Sequence, residues 1–213
     1  RLPKISNFTD FNPLEYVPGV SVRYVSSLRE LGAPDLLILP GTKNTMADLQ
    51  WLRESGLEAA IKKHTAKGGA VLGICGGYQM LGQSLEDPDG VEQGGSIDGM
   101  GLLPMKTVFQ PQKTRTQAEG EIFSQEGFFA PMSAAPFLGY EIHMGQTSFT
   151  APVRPFLTVG QKQDGVCMGK IAGTYVHGLF DREEVAKGLI TALLKAKGLS
   201  YEEVQAVDIA AFQ

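Results

Sequence analysis

A continuously apolar run, Ala70-Val71-Leu72-Gly73-Ile74, leads directly into a cysteine, two glycines and a helical pattern. A short apolar run bounded by turn residues fits a strand buried on both faces, and such a sheet needs crossover helices to cover it. This feature restricts the chain to an α/β fold and places Cys75 where strand gives way to helix. The segments before it agree. Val20–Val25 and Asp35–Leu39 read as strands, the second ended abruptly by Pro40-Gly41. Thr45 with Asp48 resembles a capping box ahead of Met46, Leu49 and Leu52, which recur at helical spacing. Ser55 with Glu58 opens a second helix carrying Leu57, Ala60 and Ile61, which ends at Gly68-Gly69. A third helix, with Leu81 and Leu85, is expected right after Cys75. Alternation with short links implies right-handed crossovers.

From Asp87 to Gln125 the texture becomes irregular, with β-like pieces such as Leu102–Phe109 broken by Gly, Pro, Gln and Thr. Gly139–Phe149, Phe156–Gln161 and Lys170–Val176 read as further strands, partly antiparallel. The last element is a helix over Arg182–Lys197. Asp181 and Glu184 form its N-terminal box, Val185, Leu189, Ile190, Leu193 and Leu194 its buried stripe, and Gly198 its stop. The fold class predicted is one α/β domain over residues 1–213, with a mixed, mainly parallel sheet and helices on both faces. The net charge is −4 with no basic run, so nucleic-acid binding has no electrostatic footprint. No apolar stretch approaches the roughly 18 residues a membrane span needs. Two cysteines cannot build a disulfide framework, so a reducing cytoplasm is the expected compartment. The chain begins with Arg1 and runs straight into an apolar stretch, which reads as a fragment of something longer.

Gly73-Ile74-Cys75-Gly76-Gly77-Tyr78-Gln79 has the strand–turn–helix context of a nucleophile elbow, with Cys in place of Ser. The glycines allow a sharp turn, and a helix N-terminus lowers a thiol pKa and offers free N–H groups. The bland reading is a buried structural cysteine beside a Gly-rich turn. Of three histidines, His177 lies just past a strand and before the last helix, the carboxyl edge where Cys75 should also sit. It is the preferred base. His143, inside a strand, either faces a pocket or packs, and His64 is expected on the solvated surface. No orienting carboxylate is evident: two residues after His177 stands Leu179, and Asp181 is assigned to capping. A Cys–His dyad is the reading. Gly41, at the end of its strand, pairs with Gly76 as the expected oxyanion hole, unless Pro40-Gly41 is a mere turn. Arg115 and Lys113 are candidate partners for a substrate carboxylate, with solvated surface as the alternative. Cys167 reads as inert. There is no phosphate-binding glycine loop and no zinc-type spacing, so no metal or ATP site is expected within this chain.

Four ordered strings carry a resemblance: Leu39-Pro40-Gly41-Thr42-Lys43-Asn44-Thr45, Gly73 to Gly82, Gly139-Tyr140-Glu141-Ile142-His143-Met144-Gly145 and Gly173-Thr174-Tyr175-Val176-His177-Gly178. Together with Pro3 to Phe11 they resemble the glutaminase domain of the cobyric acid synthase family. The resemblance implies a class I glutamine amidotransferase (flavodoxin-like) fold, L-glutamine as substrate, Cys75 as nucleophile and His177 as base. It implies that Gln79 helps hold the substrate, and that the usual third carboxylate is absent. It also implies a synthetase domain of the same polypeptide, outside this chain, that binds ATP and Mg²⁺ and amidates adenosylcobyrinic acid a,c-diamide. Three alternatives stand beside it. One is a glutaminase subunit serving a Mur-ligase-like partner in peptidoglycan-precursor amidation, another is the cobyrinic acid a,c-diamide synthase family, and the third is a catalytically silent docking module.

Overall fold

A computed structural model describes residues 1–124 and 126–202. The helices are Asn12–Glu15 (α1), Leu28–Leu31 (α2), Thr45–Glu54 (α3), Leu57–Ala66 (α4), Gly76–Met80 (α5) and Glu183–Ala196 (α6). The strands are Leu36–Leu39 (β1), Ala70–Ile74 (β2), Ser84–Asp87 (β3), Gly95–Asp98 (β4), Met105–Ile122 (β5) and Pro136–Phe149 (β6). Leu157–Val159 (β7), Lys162–Asp164 (β8), Val166–Met168 (β9), Ile171–Thr174 (β10) and Val176–His177 (β11) complete the set.

One sheet has the order β1-β2-β10-β9. Its first three strands are parallel and β9 is antiparallel to β10. Every residue of β2 is buried, as its unbroken apolar run predicts. Its period-2 alternation feeds two cores. Leu72 and Ile74 pack with Phe129, Phe137, Phe156 and Leu189, while Val71 packs with Leu39, Leu49, Tyr78 and Leu81. The second sheet is dominated by the antiparallel β5–β6 ribbon, in register from Met105 opposite Phe149 to Glu121 opposite Pro136, with an irregularity between Val108 and Lys113. This ribbon fills the stretch whose sequence looked broken. At its far side β11 pairs with β6, His177 opposite Tyr140, which folds the ribbon over the carboxyl edge of the first sheet.

Several local expectations are corrected. Val20–Val25 forms no strand: the segment stands off β1 across an apolar space of about 450 Å³ lined by Val20, Val22, Leu36, Ile38 and Leu193. Leu85 lies in β3, because α5 ends after Met80. The cap of α3 is Asn44, whose side chain accepts from the Ala47 N–H at 2.8 Å, and Asp48 is drawn elsewhere. The turn into α4 is made by Gly56 at φ +78°, while Glu58 pairs with Arg53 and Lys62. No side chain caps α6, so Asp181 has no such duty. His64 is half-buried against Gly69, its Nε2 at 3.0 Å from the Ala70 carbonyl. Leu193 and Leu194 are only half-buried, and the helix's buried stripe runs through Val185, Ala186, Leu189 and Ile190.

Candidate active site

Cys75 follows the last residue of β2 and sits at φ +52°, ψ −112°. A non-glycine residue there costs on the order of 1–3 kcal/mol, and the surroundings must hold it. They do so by contact. A Cβ on Gly77 would stand 2.0 Å from the Leu39 carbonyl oxygen, and one on Gly76 would stand 2.7 Å from Thr42 Cγ2. Only glycines let α5 start this close to β1 and the loop after it. The Cys75 N–H donates to the Thr174 carbonyl at 2.8 Å, which continues the β2–β10 ladder into the turn. The Sγ donates toward the Ile142 carbonyl of β6 at 3.6 Å. Burial pushes the thiol up to about 12. The Gly76 N–H works against this, while the charges of Asp10, Glu92 and Glu141 add to it. At neutral pH Cys75 is a thiol, so its use as a nucleophile requires a base.

His177 is fully buried and emerges from the same edge, three residues beyond β10. Its Nδ1 lies 2.6 Å from Asp10 Oδ2, and Asp10 also accepts from the Gly178 N–H at 3.2 Å. Its Nε2 lies 3.3 Å from Asn7 Nδ2. An amide nitrogen can only donate, so Nε2 is the acceptor and Nδ1–H donates to Asp10. In that tautomer the lone pair is on Nε2, and the Asn7 amide donates to it. The Tyr140 ring stacks on the imidazole at 5.2 Å. The dyad expected from the sequence is thus a histidine with a buried carboxylate behind it, supplied from the N-terminal segment. Asp10 lies inside the string that resembles the start of a glutaminase domain, yet no periodicity or spacing marks it. Asp181 does not take this role.

The loop after β1 lies against His177 and against the residue that follows Cys75. A Cβ on Gly41 would stand 2.9 Å from His177 Cε1, and Thr42 packs on Gly76. Gly41 and Gly76, the expected oxyanion pair, are thus linked through this one loop. The loop is anchored from outside. The Gly41 carbonyl accepts from the Ser6 N–H at 2.9 Å, and the Thr42 hydroxyl donates to Asp48 at 2.5 Å.

The remaining candidates lie differently. Gln79 is buried and fully engaged: it accepts from the Thr45 hydroxyl at 3.2 Å and donates to the Met144 carbonyl at 3.0 Å and to the Tyr175 hydroxyl at 3.2 Å. Its polar atoms hold protein, joining α3, α5 and β6. His143 stacks on Tyr175 at 3.7 Å and lies 3.5 Å from Glu141, on the wall of a cavity of about 970 Å³ that Cys75 and His177 do not line. Its Nδ1 has no partner among the described residues. Arg115 is exposed on β5 opposite Ile142, and Lys113 is exposed opposite Met144. Ile142, opposite Arg115, is the residue whose carbonyl meets Cys75 Sγ. Cys167, half-buried on β9 beside Ser124, is separated from β2 by one strand, level with Leu72. Among the described residues no group of three or more His, Cys, Asp or Glu could hold a metal, and no helix is long and apolar enough to cross a membrane.

A buried cysteine at the turn from a parallel strand into a helix, in a chain that also carries a carboxylate-backed histidine, fits a fold of the glutamine amidotransferase kind. Solved structures share the fold. A crystal structure of a glutamine amidotransferase superposes with a TM-score of 0.63 at 19% identity, covering 92% of this chain and 96% of that one. PurLQS from Thermotoga maritima gives 0.68 at 18% identity, with 92% and 95% covered. The chain belongs to the CobB/CobQ-like glutamine amidotransferase domain family, whose model matches residues 1–185. Among curated relatives, a cobyric acid synthase of Ruminiclostridium cellulolyticum is 52% identical over 211 residues, 95% of this chain and 41% of that protein. One of Moorella thermoacetica is 45% identical over 209 residues, 93% of this chain and 40% of that protein. The chain spans about two-fifths of the length of these relatives.

Proposed function

We propose that this chain is the glutamine-hydrolysing part of a cobyric acid synthase, in which ammonia released at Cys75 serves amidation of corrin carboxylates in cobalamin synthesis. The observation that carries the reading is the 2.6 Å Asp10–His177 contact in a chain that also holds a strained, buried cysteine elbow. His177 Nε2, released from the Asn7 amide, takes the thiol proton as Sγ attacks the side-chain amide carbon of L-glutamine. Negative charge collects on the amide oxygen, where the N–H groups of Gly41 and Gly76 meet it. The imidazolium, held by Asp10, gives its proton to the leaving nitrogen. The C–N bond breaks, and ammonia and a glutamyl thioester result. His177 then takes a proton from water as it attacks the thioester, and glutamate leaves with the thiol restored.

The amidation itself belongs to a synthetase part that supplies ATP and Mg²⁺ and binds adenosylcobyrinic acid a,c-diamide. The names of relatives 45–52% identical to this chain favour this reading over a peptidoglycan partner. The test uses L-glutamine labelled with ¹⁵N in its side-chain amide and the synthetase that contains this chain. Label in the corrin amides, lost with Cys75→Ala while amidation itself is restored by added unlabelled ammonium, is the expected result. Label transfer that survives Cys75→Ala would overturn it.

A further inference from the structure

Residues 87–94 join β3 to β4 and take no part in the reaction as written above. Asp87 is fully buried, and its carboxylate accepts from the backbone N–H groups of Val91, Glu92, Gln93 and Gly94 at 2.7, 2.8, 2.9 and 2.8 Å. Four bonds to one charged group wind the loop into a fixed shape. That shape presents Glu92 to another element. Its two carboxylate oxygens accept from the Thr45 and Met46 N–H groups at 2.9 and 2.8 Å, across the first turn of α3. The negative charge also meets the positive end of a ten-residue helix.

An ordinary cap comes from the residue preceding the helix, and Asn44 already supplies one. The carboxylate of Glu92 arrives in addition, from 47 residues away. What it grips is the inner end of the loop after β1. The Thr45 hydroxyl reaches Gln79 at 3.2 Å and lies 3.1 Å from where a Gly76 Cβ would stand. The outer side of the loop is held by Asp48, through the Thr42 hydroxyl and the Lys4 N–H. Residues 41–44 are strung between these two carboxylates.

We propose that Glu92 is a positioning residue for glutamine hydrolysis: fixed by the loop wound on Asp87, it locks the first turn of α3 and so aims the Gly41 N–H at the oxygen of the tetrahedral intermediate. The proposal rests on the glutaminase reading above. Glu92 touches no reacting atom. It acts through a loop whose misplacement by about 1 Å is worth on the order of 10² in rate.

The test compares Glu92→Ala, Glu92→Gln and Gln93→Ala with the unchanged chain in three measurements: glutamine hydrolysis, iodoacetamide alkylation of Cys75, and amide hydrogen exchange over residues 41–46. Alkylation needs a thiolate but no oxyanion donors. For Glu92→Ala, kcat is expected to fall about 10–100-fold with KM within about threefold. Alkylation is expected not to slow, because a nearby negative charge has been removed. The Thr45 and Met46 amides should exchange at least about tenfold faster once their acceptor is gone. Glu92→Gln, which keeps one accepting oxygen, should recover part of the loss, and the exposed Gln93→Ala should match the unchanged chain. Unaltered amide exchange, or faster exchange with kcat intact, would overturn the proposal. If the unchanged chain hydrolyses no glutamine but exchange over 41–46 rises in Glu92→Ala, the glutaminase reading fails and the mechanical link survives.

Discussion

The His177 tautomer is set by partners at both ring nitrogens, and both come from residues 7–10. Asp10→Asn keeps the shape and can leave the imidazole in the wrong tautomer, so kcat for glutamine hydrolysis should fall about 10²–10⁴-fold with KM little changed. Steady-state kinetics checks this, and a loss of under about threefold would remove Asp10 from the site. Cys75 carries a second prediction. Because burial raises its thiol, alkylation by iodoacetamide should be slow at pH 7 and keep climbing beyond pH 9 without a plateau. A plateau near pH 7 would mean a thiolate already formed at rest. At this scale the sequence marks Cys75 and His177 as candidates, since a cysteine after an apolar strand and a histidine just past a later strand carry local marks. Asp10 carries none. Its partner lies 167 residues away, and only the fold joins them.

Elements were legible where burial repeats, and misread where one side chain decides. β2 and the body of α6 followed from runs and stripes of apolar residues. The caps of α3, α4 and α6 turn on which single oxygen meets which N–H, and here Asn44, Gly56 and no side chain at all took the expected places. Val20–Val25 has strand-like alternation, but a strand needs a ladder, and this segment stands away from β1. The elbow gives a test at this scale. Gly77→Ala sets a methyl against a backbone carbonyl that cannot swing aside, so a loss of about 2–3 kcal/mol is expected, or roughly 4–12 °C in Tm. A thermal melt unchanged within a degree would contradict the packing of α5 on β1. The β3–β4 connection gives another. Burial raises the Asp87 carboxyl, but its backbone N–H bonds prevail and hold it below its ordinary 3.8. Its contribution is therefore present above the ordinary value and is lost as pH falls through the lower one. The unchanged chain should lose Tm on acidification below about pH 4 more steeply than Asp87→Asn, which is already weakened at pH 7. Parallel pH profiles for the two would refute that.

The whole molecule is an open sheet with a long β ribbon folded over its carboxyl edge, and β2 serves both cores at once. Unfolding followed at Trp51, which packs on the second core, and by far-UV circular dichroism should therefore give coincident transitions. Separate midpoints would mean the cores fold apart. The α/β class was readable because alternating strands and helices leave few topologies. Of the ribbon, β6 was read over Gly139–Phe149 and β5 only at its start, because the rest of β5 is largely polar and the pairing is long-range. The central claim concerns one sulfur atom, and the most direct measurement is covalent labelling with the glutamine mimic 6-diazo-5-oxo-norleucine, followed by peptide mass spectrometry. Cys167 in the same sample is the internal control. The account predicts modification of Cys75 alone, blocked by L-glutamine and lost in His177→Ala. Equal labelling of both thiols, or labelling of Cys75 that glutamine does not compete, would contradict it.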